Sequence, residues 1–226
     1  MGATGQRRLS SLPAAAAAPL LLLLVVSSWS QAAAAAPVWT TALEKHVAFF
    51  DTDNDGIVSF SETEQGLRAI GLGAIEAAAS ATLINGAIGP KTRPENATTS
   101  RFDIYIANIH KGIHGSDSGS YDAQGRFVPA KFNDIFAKYA KVKPNALNED
   151  ELGEMRTANR KEGDFKGWCR RANSAGGCRA ASKAEWGMLY SLAKDKDGFL
   201  QKDTARSVYD GSLFAKLAKK VASSGN

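Results

Sequence analysis

Asp51-Thr52-Asp53-Asn54-Asp55-Gly56-Ile57-Val58-Ser59-Phe60-Ser61-Glu62 places aspartates at positions 1, 3 and 5, a glycine at position 6 and a glutamate at position 12. Gly56 suits a sharp turn, and Glu62 can offer both carboxylate oxygens to one ion. Ile57 contributes its backbone carbonyl, Ser59 ligates directly or through a water, and Val58 at position 8 points inward toward a partner loop. Crowding four carboxylates into so short a stretch costs electrostatic energy unless a cation sits among them. The pattern is that of an EF-hand calcium loop, with Asp51, Asp53, Asp55, Ile57, Ser59 and Glu62 as the shell. An acidic surface turn is the bland alternative.

Upstream, Thr41-Ala42-Leu43-Glu44 has the form of a capping box, and Leu43, His46, Val47 and Phe50 then recur at i, i+3, i+4 and i+7. This spacing predicts the helix that enters the loop and sets His46 on its apolar face. Taken alone, a histidine there is more often a satisfied core residue than a ligand. Downstream, 61–70 reads as the exiting helix, so the EF-hand spans 38–73. From Leu67 to Gly89 the chain is almost entirely Ala, Gly, Leu and Ile, interrupted by Arg68, Glu76 and Asn85. That stretch has too few strongly apolar residues for a transmembrane helix and predicts a buried or membrane-surface helix pair, ended by Pro90 and Pro94.

Phe102, Ile104 and Ile106 alternate like a short strand. His110 and His114 follow at i, i+4, a spacing that suits zinc on a helix, but Gly112 and Gly115 argue against that helix and no cysteine lies nearby. The calcium-loop grammar recurs at 122–127 and 195–200, neither time with the full ligand set. Around Gly198, positions 1 and 12 are Ala193 and Thr204, and around Gly125 they are Ser120 and Lys131. Both read as EF-like turns that hold no calcium. EF-hands work in pairs, so one of them is expected to partner the first loop, and Gly198 has the better helical flanks in 183–192 and 202–209. Further helices are predicted at 132–139 and 148–159, which makes the fold class mainly α, with a C-terminal helical part over 120–218.

The 226 residues, 44% hydrophobic and 23% charged, exclude a disordered chain. A formal charge of +5, to which Arg7 and Arg8 contribute, is too balanced to argue for nucleic acid. Those two arginines, the apolar run through Leu20 to Val26 and the alanines Ala32 to Ala36 read as a signal peptide or N-terminal anchor over 1–36, ahead of a domain over 37–226. In a secretory compartment Cys169 and Cys178 either pair across a Gly-rich loop or remain two thiols. Asn96-Ala97-Thr98 is a glycosylation sequon in a polar segment.

Four segments carry a resemblance: His46-Val47-Ala48-Phe49-Phe50 with its loop, Asn108-Ile109-His110 with His114-Gly115-Ser116-Asp117-Ser118, Asp122 to Phe127, and Asp210-Gly211-Ser212-Leu213-Phe214. In this order they resemble the plant caleosins over about residues 40 to 218. The resemblance implies a calcium-dependent haem peroxygenase, carrying haem b and Ca2+, at lipid droplets or endoplasmic-reticulum membranes. It would transfer oxygen from a fatty-acid hydroperoxide to an unsaturated fatty acid, giving hydroxy or epoxy products. The family's haem-linked histidines fall on His46, as axial ligand, and His114, as a second pocket residue or acid-base group. Two features depart from the family: the proline knot is reduced to Pro90 and Pro94, and the leader points to secretory routing. A non-enzymatic, calcium-responsive protein of a membrane or lipid-droplet surface is the rival reading.

Overall fold

A computed structural model describes residues 1–2, 37–113, 118–161 and 186–224. The chain divides into Met1–Ala35 and Ala36–Asn226, and every element below belongs to the second unit. The leader reading of 1–36, apart from Met1 and Gly2, and the cysteine pair lie outside the described residues.

Thr41 starts helix α1 (Ala42–Ala48) through the expected capping box: its hydroxyl accepts from the Glu44 amide, and the Glu44 carboxylate accepts from the Thr41 amide at 2.8 Å. Such caps stabilise a short helix by about 1 kcal/mol. Loop residues then lead into strand β1 (Ile57–Val58), and Ser59 and Glu62 form a second capping box that starts helix α2 (Phe60–Ala69). One pair of side chains thus occupies positions 9 and 12 of the loop and also caps the helix that leaves it.

The apolar segment is divided at a turn through Gly71 between the end of α2 and one long helix, α3 (Ala74–Thr92). Pro90, expected to end it, lies inside its last turn. A proline removes one amide donor and crowds the carbonyl four residues back, which here belongs to Gly86. Asn85, which interrupts the apolar run in sequence, is buried and donates from Nδ2 to the carbonyls of Phe102 at 3.0 Å and Val58 at 3.4 Å. It ties α3 to the 51–62 loop and to the segment before β2.

Strand β2 (Ile104–Tyr105) forms where alternation predicts it and runs into a 3-10 helix over Ile106–Gly112. It pairs antiparallel with β1, Val58 against Ile104 and Ile57 against Tyr105. The partner of the first loop is therefore β2, and the expectation that Gly198 supplies it is corrected. The Gly125 turn is a tight hairpin: Asp122 accepts from the amides of Gln124 and Arg126, and Tyr121 bridges to Phe127.

The second half repeats the plan with helix α4 (Pro129–Tyr139), strand β3 (Ala146–Leu147), helix α5 (Glu149–Lys161), helix α6 (residues 186–193), strand β4 (Leu200–Gln201) and helix α7 (Lys202–Tyr209). β3 pairs antiparallel with β4, Leu147 against Leu200. The architecture is thus two pairs of helix–loop–helix units, each pair joined by a two-residue ladder, with α8 (Ser212–Ser224) laid back on α2. Phe132, Phe136, Leu147, Leu152, Met155 and Leu200 fill the core of the second pair. The fold is mainly helical, as the periodicity predicts, and no described helix is long and apolar enough to cross a membrane.

Candidate functional site

Asn54 at φ +60° and Gly56 at φ +85° give the 51–62 loop its tight reversal. Asp51, almost fully buried, accepts from the amides of Asp55 and Gly56 at 3.1 Å each, and Asp55 accepts from the Ile57 amide at 2.7 Å. One carboxylate oxygen from each of Asp51, Asp53 and Asp55 lies within 4.8 Å of the others. Two oxygens on opposite sides of a calcium ion, each at 2.3–2.6 Å, stand about 5 Å apart, so the trio fits that ion. Glu62 stands outside the trio. Its Oε1 accepts from the Thr52 amide at 2.9 Å and its Oε2 from the Ser59 amide at 2.9 Å and the Ser59 hydroxyl at 2.8 Å.

The electrostatics divide the loop in the same way. Burial pushes the carboxyls of Asp51 and Asp55 above the usual aspartate range, and their acidic neighbours add to it. Burial acts on Glu62 as well, but hydrogen bonds from Ser59 and Thr52 outweigh it and hold that carboxyl low. A divalent cation would relieve the strain where carboxylates are crowded and would meet a Glu62 already ionised.

His46 lies one turn before this loop. Its Nδ1 is 2.7 Å from the Val208 carbonyl, which can only accept, so Nδ1 carries the proton it donates, and in the neutral imidazole the lone pair then belongs to Nε2. The Phe214 ring meets the imidazole edge-on with centroids 4.9 Å apart. The turn between α7 and α8 approaches closely because residue 211 is glycine: at φ +76°, a Cβ there would lie 2.7 Å from the Lys45 carbonyl oxygen and 3.0 Å from the His46 Cα. Sequence reasoning did not assign Val208, Gly211 or Phe214 to this site. The Asp210-Gly211-Ser212-Leu213-Phe214 motif was visible, but a histidine 165 residues before Gly211 is not a local neighbour.

A cavity of about 330 Å3 opens against this histidine, within the roughly 300–1,000 Å3 usual for small-molecule sites. Leu43, His46, Val47 and Phe50, the face predicted for the entering helix, all line it, and α3, the 3-10 helix, α6 and α8 supply further apolar wall. Val58 and Thr63, from β1 and α2, connect it directly to the helix–loop–helix around 51–62. One corner is polar: the Ser118 and Tyr209 hydroxyls are 2.6 Å apart, and the Tyr121 hydroxyl donates to the Tyr209 carbonyl at 2.7 Å. His114 lies outside the described residues. His110 falls in the 3-10 helix, away from the cavity lining, and Asp51, Asp53 and Asp55 form the one metal-capable cluster among the described residues.

An imidazole oriented through Nδ1 by a backbone carbonyl, at the wall of a mainly apolar cavity, fits the requirements of a haem ligand. The family model for caleosin-related proteins matches residues 39–218. The chain belongs to the caleosin family. This caleosin is 47% identical over 181 residues to "Probable peroxygenase 4" of Arabidopsis thaliana, covering 80% of this chain and 87% of that one. It is 44% identical over 183 residues to "Peroxygenase" of Lilium longiflorum, covering 81% and 72%. A "Probable inactive peroxygenase-like protein" of Arabidopsis thaliana is 35% identical over 162 residues, 72% of each chain. The two peroxygenases place this caleosin among the oxidoreductase enzymes, as the resemblance implies, and against the non-enzymatic reading. No solved structure matches this caleosin.

Proposed function

We propose that the chain is a calcium-dependent haem peroxygenase in which His46 would hold the haem iron. The observation that carries this is the imidazole held at Nδ1 by Val208 at 2.7 Å while its ring lines an apolar cavity of about 330 Å3. When bound, the haem supplies oxygen-atom transfer from a fatty-acid hydroperoxide to an unsaturated fatty-acid acceptor. The residues' own work is to position and to exclude water. Val208 fixes the tautomer of His46, Phe214 limits its rotation, and Gly211 lets both approach. Val47, Phe50, Leu67 and Ile84 keep the cavity dry, and Tyr209 with Ser118 provides hydroxyls at its polar corner. His114 remains the candidate second haem-pocket or acid-base residue on the family motif.

Calcium would bind Asp51, Asp53 and Asp55 with the Ile57 carbonyl, Ser59 and Glu62, and it would act on the pocket through α1, β1 and α2, which carry His46, Val58 and Thr63. Metal binding orders the segments that supply its ligands, so ion and haem ligand share one rigid unit. A lipid surface is the proposed location, reached through the leader. Ile75, Leu83 and Phe102 leave apolar surface exposed along and beside α3.

The visible spectrum of the purified protein tests the reading. A Soret band is expected, lost in His46→Ala while calcium binding survives, and weakened or shifted on chelation of calcium. A colourless protein that hemin leaves unchanged would refute the haem assignment. A Soret band indifferent to chelation would refute the coupling.

A further inference from the structure

Asn96-Ala97-Thr98, between α3 and β2, takes no part in the cavity lining or in the 51–62 loop. It is the sole Asn-x-Ser/Thr triplet in the sequence, and neither residue 97 nor residue 99 is a proline. The Ala97 amide donates to the Pro94 carbonyl at 3.3 Å, so Asn96 is the third residue of a turn just beyond the end of α3. The turn is held through its main chain: the Arg93 guanidinium donates to the carbonyls of Ala97 at 2.5 Å and Ser100 at 2.7 Å. Asn96 and Thr98 are both exposed, and among the described residues neither side chain has a hydrogen-bond partner. Asn85 and Asn108 are by contrast spent on the carbonyls of Val58, Phe102 and Thr92. The fold neither uses nor covers the two side chains that define the triplet.

A bulky, solvated sugar needs its asparagine at the surface, on a turn whose own bonds do not involve that side chain. The leader reading of 1–36 meets the other requirement, entry of the chain into a secretory compartment. We propose that Asn96 carries an N-linked oligosaccharide acquired in the lumen of the endoplasmic reticulum, so that this domain lies on the lumenal side of the membrane. The transfer joins the Asn96 side-chain nitrogen to the anomeric carbon of the first sugar. The bond from that carbon to a lipid pyrophosphate breaks, the pyrophosphate leaves with the bonding pair, and the amide nitrogen gives up one proton. Thr98 supplies the hydroxyl that the transferring enzyme requires. Ile75, at the other end of α3, stands about 25 Å along the helix from Thr92, so the sugar leaves that part of the exposed apolar surface open to lipid. This inference rests on the leader reading and is independent of the haem assignment.

Translation of the full-length chain with endoplasmic-reticulum microsomes tests it, read by gel mobility before and after endoglycosidase H and by protection from added protease. The natural chain is expected to be protected and to show a single upward mobility shift that the glycosidase reverses. Thr98→Ser is expected to keep that shift, whereas Asn96→Gln and Thr98→Ala are expected to lose it and to remain as well protected as the natural chain. A natural chain that is protected but not shifted overturns the inference, as does a shift that survives Asn96→Gln. A natural chain left open to the protease overturns it too, because the domain would then lie on the cytosolic side. The visible spectrum takes no part in these readouts, so failure here leaves the haem reading standing, and a missing Soret band leaves the glycan standing.

Discussion

The loops at 51–62 and 140–151 occupy corresponding places in the two halves of the molecule and are built to the same plan. Each has a left-handed residue at position 6, Gly56 at φ +85° and Asn145 at φ +59°, and each puts a buried aliphatic at position 8 in the ladder, Val58 and Leu147. Each ends in a glutamate at position 12 that accepts from the amides of positions 2 and 9. Glu62 accepts from Thr52 and Ser59, and Glu151 accepts from Lys141 at 2.6 Å and Asn148 at 2.9 Å, with Val142 added at 2.8 Å. They differ at positions 1, 3 and 5, where Asp51, Asp53 and Asp55 face Ala140, Val142 and Pro144. The glutamate and the left-handed residue are therefore enough to make the loop, and the three aspartates are what give the first loop a cluster able to hold a metal. The halves differ in packing too: the second is filled by its own aromatic and aliphatic side chains, whereas the first borders the cavity beside His46.

The severest way to break this comparison is to remove the glutamate from the loop that lacks the aspartates. Glu151→Ala takes the acceptor from three amides and from the cap of α5, and is expected to cost about 4 kcal/mol, since hydrogen bonds to charged groups are worth ~1.5–3 kcal/mol each and are not additive. Urea unfolding with calcium and with chelator checks it, and the loss should be the same in both. A smaller effect separates the first loop. Chelation of calcium should lower stability by about 2.7 kcal/mol relative to a hundredfold excess over Kd, and Glu62→Gln should remove most of that difference. If Glu151→Ala altered the calcium response as strongly as Glu62→Gln, the two loops would not be independent devices.

The contrast between the loops also marks what the sequence makes legible. The candidate ligands at 51–62 are local and of one chemical kind, so they could be read directly, as could the capping box of α1 and the span of α7, whose predicted and observed bounds are the same Lys202–Tyr209, whereas the second capping box, Ser59 with Glu62, was hidden behind those residues' reading as ligands. The loop at 140–151 passed unnoticed because the usual signals, acids at positions 1, 3 and 5 and glycine at 6, are absent. Asn145, Leu147 and Glu151 at positions 6, 8 and 12 were the available signal. The pairing of β1 with β2 was missed for another reason: the second unit of the first pair has a 3-10 helix where an exiting α-helix belongs and no loop grammar at all, so alternation at 104–106 was its one trace. The meeting of His46 with Val208 and Phe214 depends on two helix pairs folding together, which no local pattern encodes.

Position 6 offers a finer test. Asn145→Ala should cost about 1–2 kcal/mol, the penalty for an ordinary side chain in left-handed backbone, whereas Asn145→Gly should be nearly neutral. Thermal unfolding of the two variants gives the difference. A loss on Asn145→Gly equal to that of alanine would mean that the asparagine side chain itself, and not the backbone angle, holds this turn.

The smallest expected effect is one of sign, and it sets the two loops in opposition. Burial acts on Glu151, but the amides of Asn148, Val142 and Lys141 outweigh it and hold its carboxyl below the usual glutamate range. The folded protein therefore binds that proton less readily than the unfolded chain does, so the stability due to Glu151 is complete above the unfolded value and is lost as pH falls through the lowered one. Asp51 is raised by burial and by its acidic neighbours, and without metal its ionisation opposes folding. Its contribution in chelator is best at low pH and declines as pH rises from the unfolded aspartate value through the raised one. In urea titrations with chelator between pH 7 and pH 3, the deficit of Glu151→Gln relative to the natural chain should therefore shrink toward low pH. Any advantage of Asp51→Asn should lie at neutral pH and fade in acid. Calcium should abolish the second effect and leave the first untouched, because only the first loop relies on an ion to hold its carboxylates together. Parallel pH slopes for the two variants would show that the carboxylates at 51–55 are already compensated within the protein, and the need for a cation at that loop would disappear.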